Sequence, residues 1–136
     1  MKNLEQKQKI EEGSAFSPGF TRRGGLLPVI VQDARDRRIL MLAYANETAL
    51  SETMKSGLAT FWSTSRNELW KKGETSGDHL KVVDILVDCD QDALVYLVEP
   101  QGDGACHTKD PATGKARSSC FYRKIDPATG GLMPAP

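Results

Sequence analysis

The sequence lacks most of what would place it in a membrane, on a nucleic acid or outside the cell. Among its 136 residues no apolar run nears the length of a bilayer-spanning helix, which is about 20 residues. Net charge is missing too, since 18 basic residues balance 18 acidic ones. A balanced chain has no global field to draw in nucleic acid or an anionic lipid surface, so neither is an expected partner. Met1-Lys2-Asn3-Leu4 opens no secretory signal. Cysteine is scarce and odd in number, three in all. An odd count without a signal predicts a reducing, cytoplasmic setting, where thiols serve metals or catalysis rather than disulfides. No Walker or Rossmann glycine pattern occurs. Nor does the Pro-Cys-x-x-Cys with His-x-Glu that a zinc nucleobase deaminase needs. The missing fourth cysteine and the neutral charge also argue against a small zinc module for RNA. What remains is 39% hydrophobic and 26% charged, the balance of one globular domain.

The few cysteines stand in informative company. Cys89 lies inside Asp88-Cys89-Asp90-Gln91-Asp92, Cys106 precedes His107, and Cys120 opens Cys120-Phe121-Tyr122. Thiolates select zinc, whereas an all-oxygen cluster selects magnesium or a similar hard cation. Three protein thiolates leave zinc an open fourth position, the mark of a catalytic rather than a structural ion. The alternative is three unrelated thiols acting as small core residues, with an aspartate-rich segment that is only a turn. If the backbone stays extended from 88 to 92, side-chain alternation puts Asp88, Asp90 and Asp92 on one side and Cys89 on the other. One segment could then serve two sites, or two subunits.

The chain divides into an N-terminal arm (1–25), a body (26–123) and a C-terminal tail (124–136). The arm is polar, broken by Gly13, Pro18 and Gly19, with room for a short helix around Leu4 and Ile10. The tail reads as loose. The pentad Asp-Pro-Ala-Thr-Gly occurs at 110–114 and again at 126–130, either by chance or by local duplication. In the body, Pro28 to Asp33 and Ile39 to Tyr44 flank a polar stretch and predict a hairpin. Asn46 caps a helix that Gly57 stops. Ala49, Leu50, Thr53 and Met54 form its expected buried stripe. Further strands are expected over 58–63, 82–87 and 93–98, so the acidic cluster falls at a tight connection between two strands. The fold class that follows is α+β, a mostly antiparallel β-sheet with a few short helices.

From the end of the third of these strands toward the fourth runs a stretch rich in hydroxyls, cations and tryptophan. Trp62, Ser63, Ser65, Arg66, Trp70, Lys71, Gly73, Thr75, Ser76 and Gly77 all fall within it. Backbone amides near glycine, with hydroxyls and Arg or Lys, suit phosphate, and tryptophan suits stacking on a purine. Each part alone is equally compatible with an ordinary turn and a core aromatic.

Taken together these blocks resemble the phosphoribosyl-AMP cyclohydrolases. The resemblance rests on Trp62-Ser63-Thr64-Ser65-Arg66, Leu69-Trp70-Lys71-Lys72-Gly73-Glu74-Thr75-Ser76-Gly77, Asp88-Cys89-Asp90-Gln91-Asp92-Ala93-Leu94 and Ala105-Cys106-His107-Thr108. Leu27-Pro28, Val31-Gln32-Asp33, Met41-Leu42-Ala43-Tyr44 and Ser119-Cys120-Phe121-Tyr122 extend it over residues 26–123. It implies hydrolysis of the N1–C6 bond of the adenine ring of phosphoribosyl-AMP, the third step of histidine biosynthesis. It also implies an intertwined homodimer with Zn2+ and Mg2+ at each interface site. By the resemblance, zinc falls to Cys89, Cys106 and Cys120, with Cys89 donated across the dimer, and magnesium to Asp88, Asp90 and Asp92. Relative to the family pattern, residues 109–115 look like an insertion between the last two cysteines. A longer loop still closes on zinc, because closure entropy grows slowly with length. Beside the zinc a general base must meet the attacking water, and His107 is the candidate through its adjacency to Cys106. Its other reading is a hydrogen-bond partner of the ligand thiolate. His79 falls in a turn, a surface or substrate-edge position.

Overall fold

The computed structural model describes residues 4–136. Its elements run α1 (Leu4–Glu12), β1 (Leu27–Asp33), β2 (Ile39–Ala45), α2 (Glu47–Ser56), β3 (Thr60–Ser63), β4 (Glu68–Lys71), β5 (Leu80–Val87), β6 (Leu94–Pro100), β7 (Arg123–Ile125) and β8 (Leu132–Pro134). The α+β class is as expected. A four-stranded sheet has the order β2-β1-β6-β5, and β3-β4 and β7-β8 are separate ribbons. All pairings are antiparallel except β1 with β6, which run parallel at the centre.

Local chemistry accounts for most of these elements. β1 alternates buried and more accessible positions, sending Leu27, Val29 and Val31 inward as the two-residue period of a strand demands. Arg37, at φ 67°, turns the chain into β2. Asn46 caps α2 by accepting from Ala49 N at 2.8 Å. Gly57 ends it at φ 74°, a left-handed conformation that glycine adopts at little cost. Ala49, Leu50 and Thr53 of α2 are buried. Met54, expected in that stripe, is 58% exposed: it lies one position beyond the face that meets the sheet.

The core gathers Leu27, Val29 and Val31 of β1, Leu94, Tyr96 and Val98 of β6, Leu50 of α2 and Phe61 of β3. Burying an aliphatic or aromatic side chain of this size stabilises by about 1.5–3 kcal/mol. Phe61 lies 5.8 Å from the Tyr96 ring and 5.5 Å from Trp70, so the β3-β4 ribbon is pinned to the main sheet. The ribbon is also stitched to β5, through Ala59 N to Leu80 O at 2.9 Å and Val82 N to Gly57 O at 2.8 Å.

The opposite face of the sheet is apolar and open. Leu42 pairs with Ile30, Ile30 with Val95, and Val95 with Leu86. The row crosses all four strands, with Leu42 48% and Leu86 47% exposed.

The two ends of the chain are more ordered than their composition suggests. The tail forms the β7-β8 ribbon, and Ala135 N donates to Tyr122 O at 3.0 Å. Both copies of the pentad fold identically. In each, the aspartate Oδ1 accepts from the alanine amide at 2.9 Å. Its carbonyl accepts from the glycine amide, at 2.7 Å in one copy and 2.8 Å in the other. Asp110 N to Lys115 O and Asp126 N to Gly131 O then close both loops at 2.8 Å. Residues 109–115 therefore make a closed hairpin end, as does the turn of the tail ribbon.

Candidate active site

The acidic cluster sits at the β5-β6 connection, where Val87 pairs with Leu94. The expected convergence occurs, but not by strand alternation. Gln91 adopts φ 58°, and Asp88 Oδ1 accepts from the amides of Asp92 and Ala93 at 2.9 and 3.0 Å. That turn, rather than an extended backbone, brings carboxylate oxygens of Asp88, Asp90 and Asp92 within 4.8 Å of one another. Cys89 is exposed and its thiol lies outside the cluster.

Three carboxylates so close must be compensated. Part of the compensation comes from the N-terminal arm, which the sequence shows only as a polar segment. Arg23 forms an ion pair with Asp92, with its Nε donating to Oδ2 at 2.9 Å. That hydrogen bond holds Asp92 below the usual carboxylate range and raises Arg23. Asp90 moves the other way: hydrogen bonding with the Asp92 carboxylate, then desolvation and Asp88, favour its protonated form. The arm is fastened at the same turn by Gln91. Its Oε1 accepts from Ser17 N at 2.6 Å, its Nε2 donates to Ile10 O and Ala15 O, and its carbonyl accepts from Gly19 N at 2.7 Å. The all-oxygen donor set and its spacing fit a small hard cation.

Two of the three thiols converge elsewhere. Cys106 and Cys120 are close enough to share a hydrogen bond. They are held by neighbours from different elements. Cys106 N donates to Arg117 O at 3.0 Å. Cys120 N donates to Leu40 O at 2.7 Å and Ser119 Oγ to Ile39 O at 2.7 Å, tying this segment to β2. Gly104 permits the approach, because a Cβ there would collide with the Arg117 carbonyl. Burial pushes the Cys106 thiol up, and Thr108 opposes it through its hydroxyl at 2.8 Å and its amide at 3.4 Å. Cys120, Arg117 and Thr108 together hold Cys106 below its ordinary value. Cys120 has an exposed residue surface, yet desolvation of its thiol and the neighbouring Cys106 push it up to about 11. Lys72 opposes that rise.

Lys72 is the residue that sequence reading missed. It is 7% exposed, and no carboxylate pairs with it among the described residues. Its Nζ lies 5.8 Å from the centre of the Trp70 ring. A buried lysine acting on the Cys120 thiol favours its anionic form. The only sequence signal was a Lys-Lys pair following a tryptophan, and strand alternation could have separated the inward lysine from the outward one.

Other expected site residues are spread over the β3-β4 ribbon and its exit. Trp62 and Trp70 are half-buried, and Trp70 packs on Phe61. Ser63 Oγ lies 3.4 Å from Ser65 Oγ and accepts from Arg66 N at 3.3 Å. Arg66 also pairs with Glu68 at 3.5 Å. Lys71 is half-buried, while Thr75, Ser76 and Gly77 are exposed. Gly73, at φ 87°, is buried where a Cβ would strike the backbone of Asp78 and His79. Gly77 N closes the loop on Gly73 O at 2.7 Å. His79 is half-buried and its carbonyl accepts from Gln101 N at 2.8 Å. His107 is exposed beside Cys106. Among the described residues no helix is long and apolar enough to cross a membrane.

Comparison with known proteins gives these features a setting. The sequence model of the family described as phosphoribosyl-AMP cyclohydrolase matches residues 41–122. A phosphoribosyl-AMP cyclohydrolase of Brucella anthropi is 49% identical over 127 residues, 93% of this chain and 84% of that protein. One from Archaeoglobus fulgidus is 55% identical over 102 residues, 75% of this chain and 87% of its own length. One from Brucella canis is 51% identical over 120 residues, 88% of this chain and 81% of that protein. The class these relatives define is a hydrolase. The chain belongs to the phosphoribosyl-AMP cyclohydrolase family.

Proposed function

We propose that this chain is a cytoplasmic enzyme that opens the adenine ring of phosphoribosyl-AMP by hydrolysing N1–C6, in the histidine biosynthetic route. The observation that carries this reading is the convergence of Cys106 and Cys120 beside buried Lys72, in a chain of this family with a separate carboxylate cluster. Cys89, Cys106 and Cys120 would hold Zn2+, and Asp88, Asp90 and Asp92 would hold Mg2+. Zinc held there would supply the ionisation of water near neutral pH.

The protein groups do the rest. His107 accepts the proton of the attacking water on a ring nitrogen, as an exposed imidazole beside the thiol pair can. Water oxygen bonds to C6, made electron-poor by the ribosyl group on N1. The C6–N1 bond then breaks, N1 takes the proton, and C6 becomes the carbonyl carbon of a carboxamide. Trp62 and Trp70 present aromatic surface to the purine. Ser63, Ser65, Arg66, Lys71 and the Gly73-to-Gly77 loop, with Thr75 and Ser76, supply hydroxyls, amides and charge for a phosphate. Lys72 favours the thiolate form of Cys120 and so prepares it as a ligand.

Two thiols from one chain do not make a three-thiolate site, and this supports a homodimer in which the partner subunit supplies Cys89. The open apolar row from Leu42 to Leu86 supports the same assembly, because contiguous exposed apolar surface on a sheet marks an interaction site. The deciding experiment is turnover of phosphoribosyl-AMP by the purified protein, with and without chelator, with ammonia assayed alongside. Ring opening releases no ammonia. Ammonia release would make the chain a deaminase, and no turnover with metals restored would remove the proposal.

A further inference from the structure

A cleft of about 510 Å³ opens between the inserted loop and the C-terminal ribbon. Three arginines line it: Arg38 from the β1-β2 turn, Arg117 beside the thiol pair, and Arg123 at the start of β7. Two of them share one aromatic ring. Arg117 lies 4.1 Å and Arg123 5.1 Å from the centre of Tyr122, and Arg38 Nη1 donates to Ser118 Oγ at 2.9 Å. Among the described residues none of the three forms an ion pair. Asp110 is the one carboxylate in the lining, and its Oδ1 is engaged by Ala112 N. The cleft therefore carries an uncompensated charge of about two, on planar donors that match phosphate oxygens in pairs. Like charges held this close repel unless an anion joins them.

The cleft and the thiol pair share one piece of chain. Ser119 lines the cleft and precedes Cys120, and Arg117 accepts the Cys106 amide through its carbonyl. We propose that Arg38, Arg117 and Arg123 bind a phosphomonoester, and that the ligand is one of the two ribose 5-phosphate arms of the substrate. The assignment to substrate rests on the activity proposed above. Substrate bound in this way places a phosphate in the cleft and its ring toward Cys106 and Cys120. The Gly73-to-Gly77 region is left for the other arm. The inserted loop then has a role, since Asp110 and Pro111 form the outer wall of the phosphate pocket.

The test uses the full-length, metal-loaded protein and ribose 5-phosphate as probe. Arg38 and Arg123 are exposed and outside the thiol pair, so Arg38→Gln with Arg123→Gln should fold, which circular dichroism and thermal melting check. Calorimetry should show ribose 5-phosphate binding, ribose not binding, and the probe's affinity falling at least about tenfold in the double variant. Added salt should weaken the parent's binding. KM for phosphoribosyl-AMP should rise about tenfold or more with kcat little changed, and Arg38→Lys should retain part of the affinity. Unchanged probe affinity and unchanged KM in a folded double variant would overturn the proposal. Lost probe binding with normal KM would overturn the substrate assignment. Lost probe binding in a protein that never turns over phosphoribosyl-AMP would uphold the phosphate site and sink the activity instead.

Discussion

The acidic turn and the thiol pair differ in how much of each a single chain supplies. The turn is complete and local. Asp88, Asp90 and Asp92 fall within five residues, and the same residues' side chains and amides hold the loop closed. The thiol pair spans more chain, with Cys106 and Cys120 at the open end of one hairpin that is in turn tied to β2. Cys106 leans on Arg117, Cys120 hangs from Leu40, and the exposed third thiol, Cys89, joins neither group. Local closure costs little chain entropy, whereas bringing distant segments together costs more and must be met by tertiary packing. One chain therefore closes the carboxylate cluster by itself, whereas it brings only two of its three thiols together.

The largest expected effect breaks the thiol side of that contrast. Cys89→Ser, Cys106→Ser and Cys120→Ser should each leave a folded protein with little zinc and no measurable turnover. Refolding Cys89→Ser together with Cys106→Ser should restore part of the activity, because one site in each mixed dimer regains three thiolates. Mixed dimers that stay inactive, or full zinc in Cys89→Ser, would place the whole zinc site in one chain.

The acidic turn should respond separately. Replacing Asp90 and Asp92 by Asn keeps shape and removes two charges. The magnesium concentration for half-maximal activity should rise by about tenfold or more, with metal analysis showing zinc unchanged. Zinc lost with magnesium dependence intact would show that the carboxylates serve the thiol site.

A smaller effect sharpens the role of Lys72. Lys72→Met removes the charge that opposes the rise of Cys120 toward about 11. Cys120 should then ionise only at still higher pH, so zinc uptake by chelator-treated protein should need a more alkaline solution, readable with a zinc-sensitive dye. An unshifted uptake profile would leave Lys72 as a packing residue over Trp70.

The smallest effect concerns Arg23. Its partner Asp92 titrates below the usual carboxylate range. Stability from the pair is therefore present above the unfolded carboxylate pKa, about 3.9, and lost as pH falls through the lower folded value. Arg23→Gln should melt at lower temperature near neutrality, and the gap to the parent should close in strong acid. With the guanidinium gone, magnesium should bind several-fold more tightly. Weaker magnesium binding would mean that Arg23 helps to shape the site rather than competing for it.

These contrasts also explain what could be read from the sequence. The β1-β2 hairpin, α2 with its caps and the β5-β6 connection carry local signals, and all three appear. The carboxylate cluster was legible for the wrong geometric reason: residue spacing found it, but a left-handed Gln91 makes it. The parallel β1-β6 pairing has no local signature, because neither strand's pattern names its neighbour. The Arg23–Asp92 pair and the Gln91 clamp join the arm to a turn far along the chain, so composition showed only a polar segment. The C-terminal ribbon was missed because its strands are three residues long, although the repeated pentad marked its turn.

The parallel seam at the centre of the sheet has a kinetic consequence. Val29 meets Leu94, whereas β1-β2 and β5-β6 close through nearby residues. Short-range hairpins form in microseconds, and long-range pairings come later. The carboxylates ride on one early unit, and Cys120 is tied to the other through Leu40. The acidic turn can thus close before the two halves have joined, whereas the tie of Cys120 to Leu40 must wait for the seam. The order in which the two halves meet therefore decides when the thiol hairpin is fixed against the sheet.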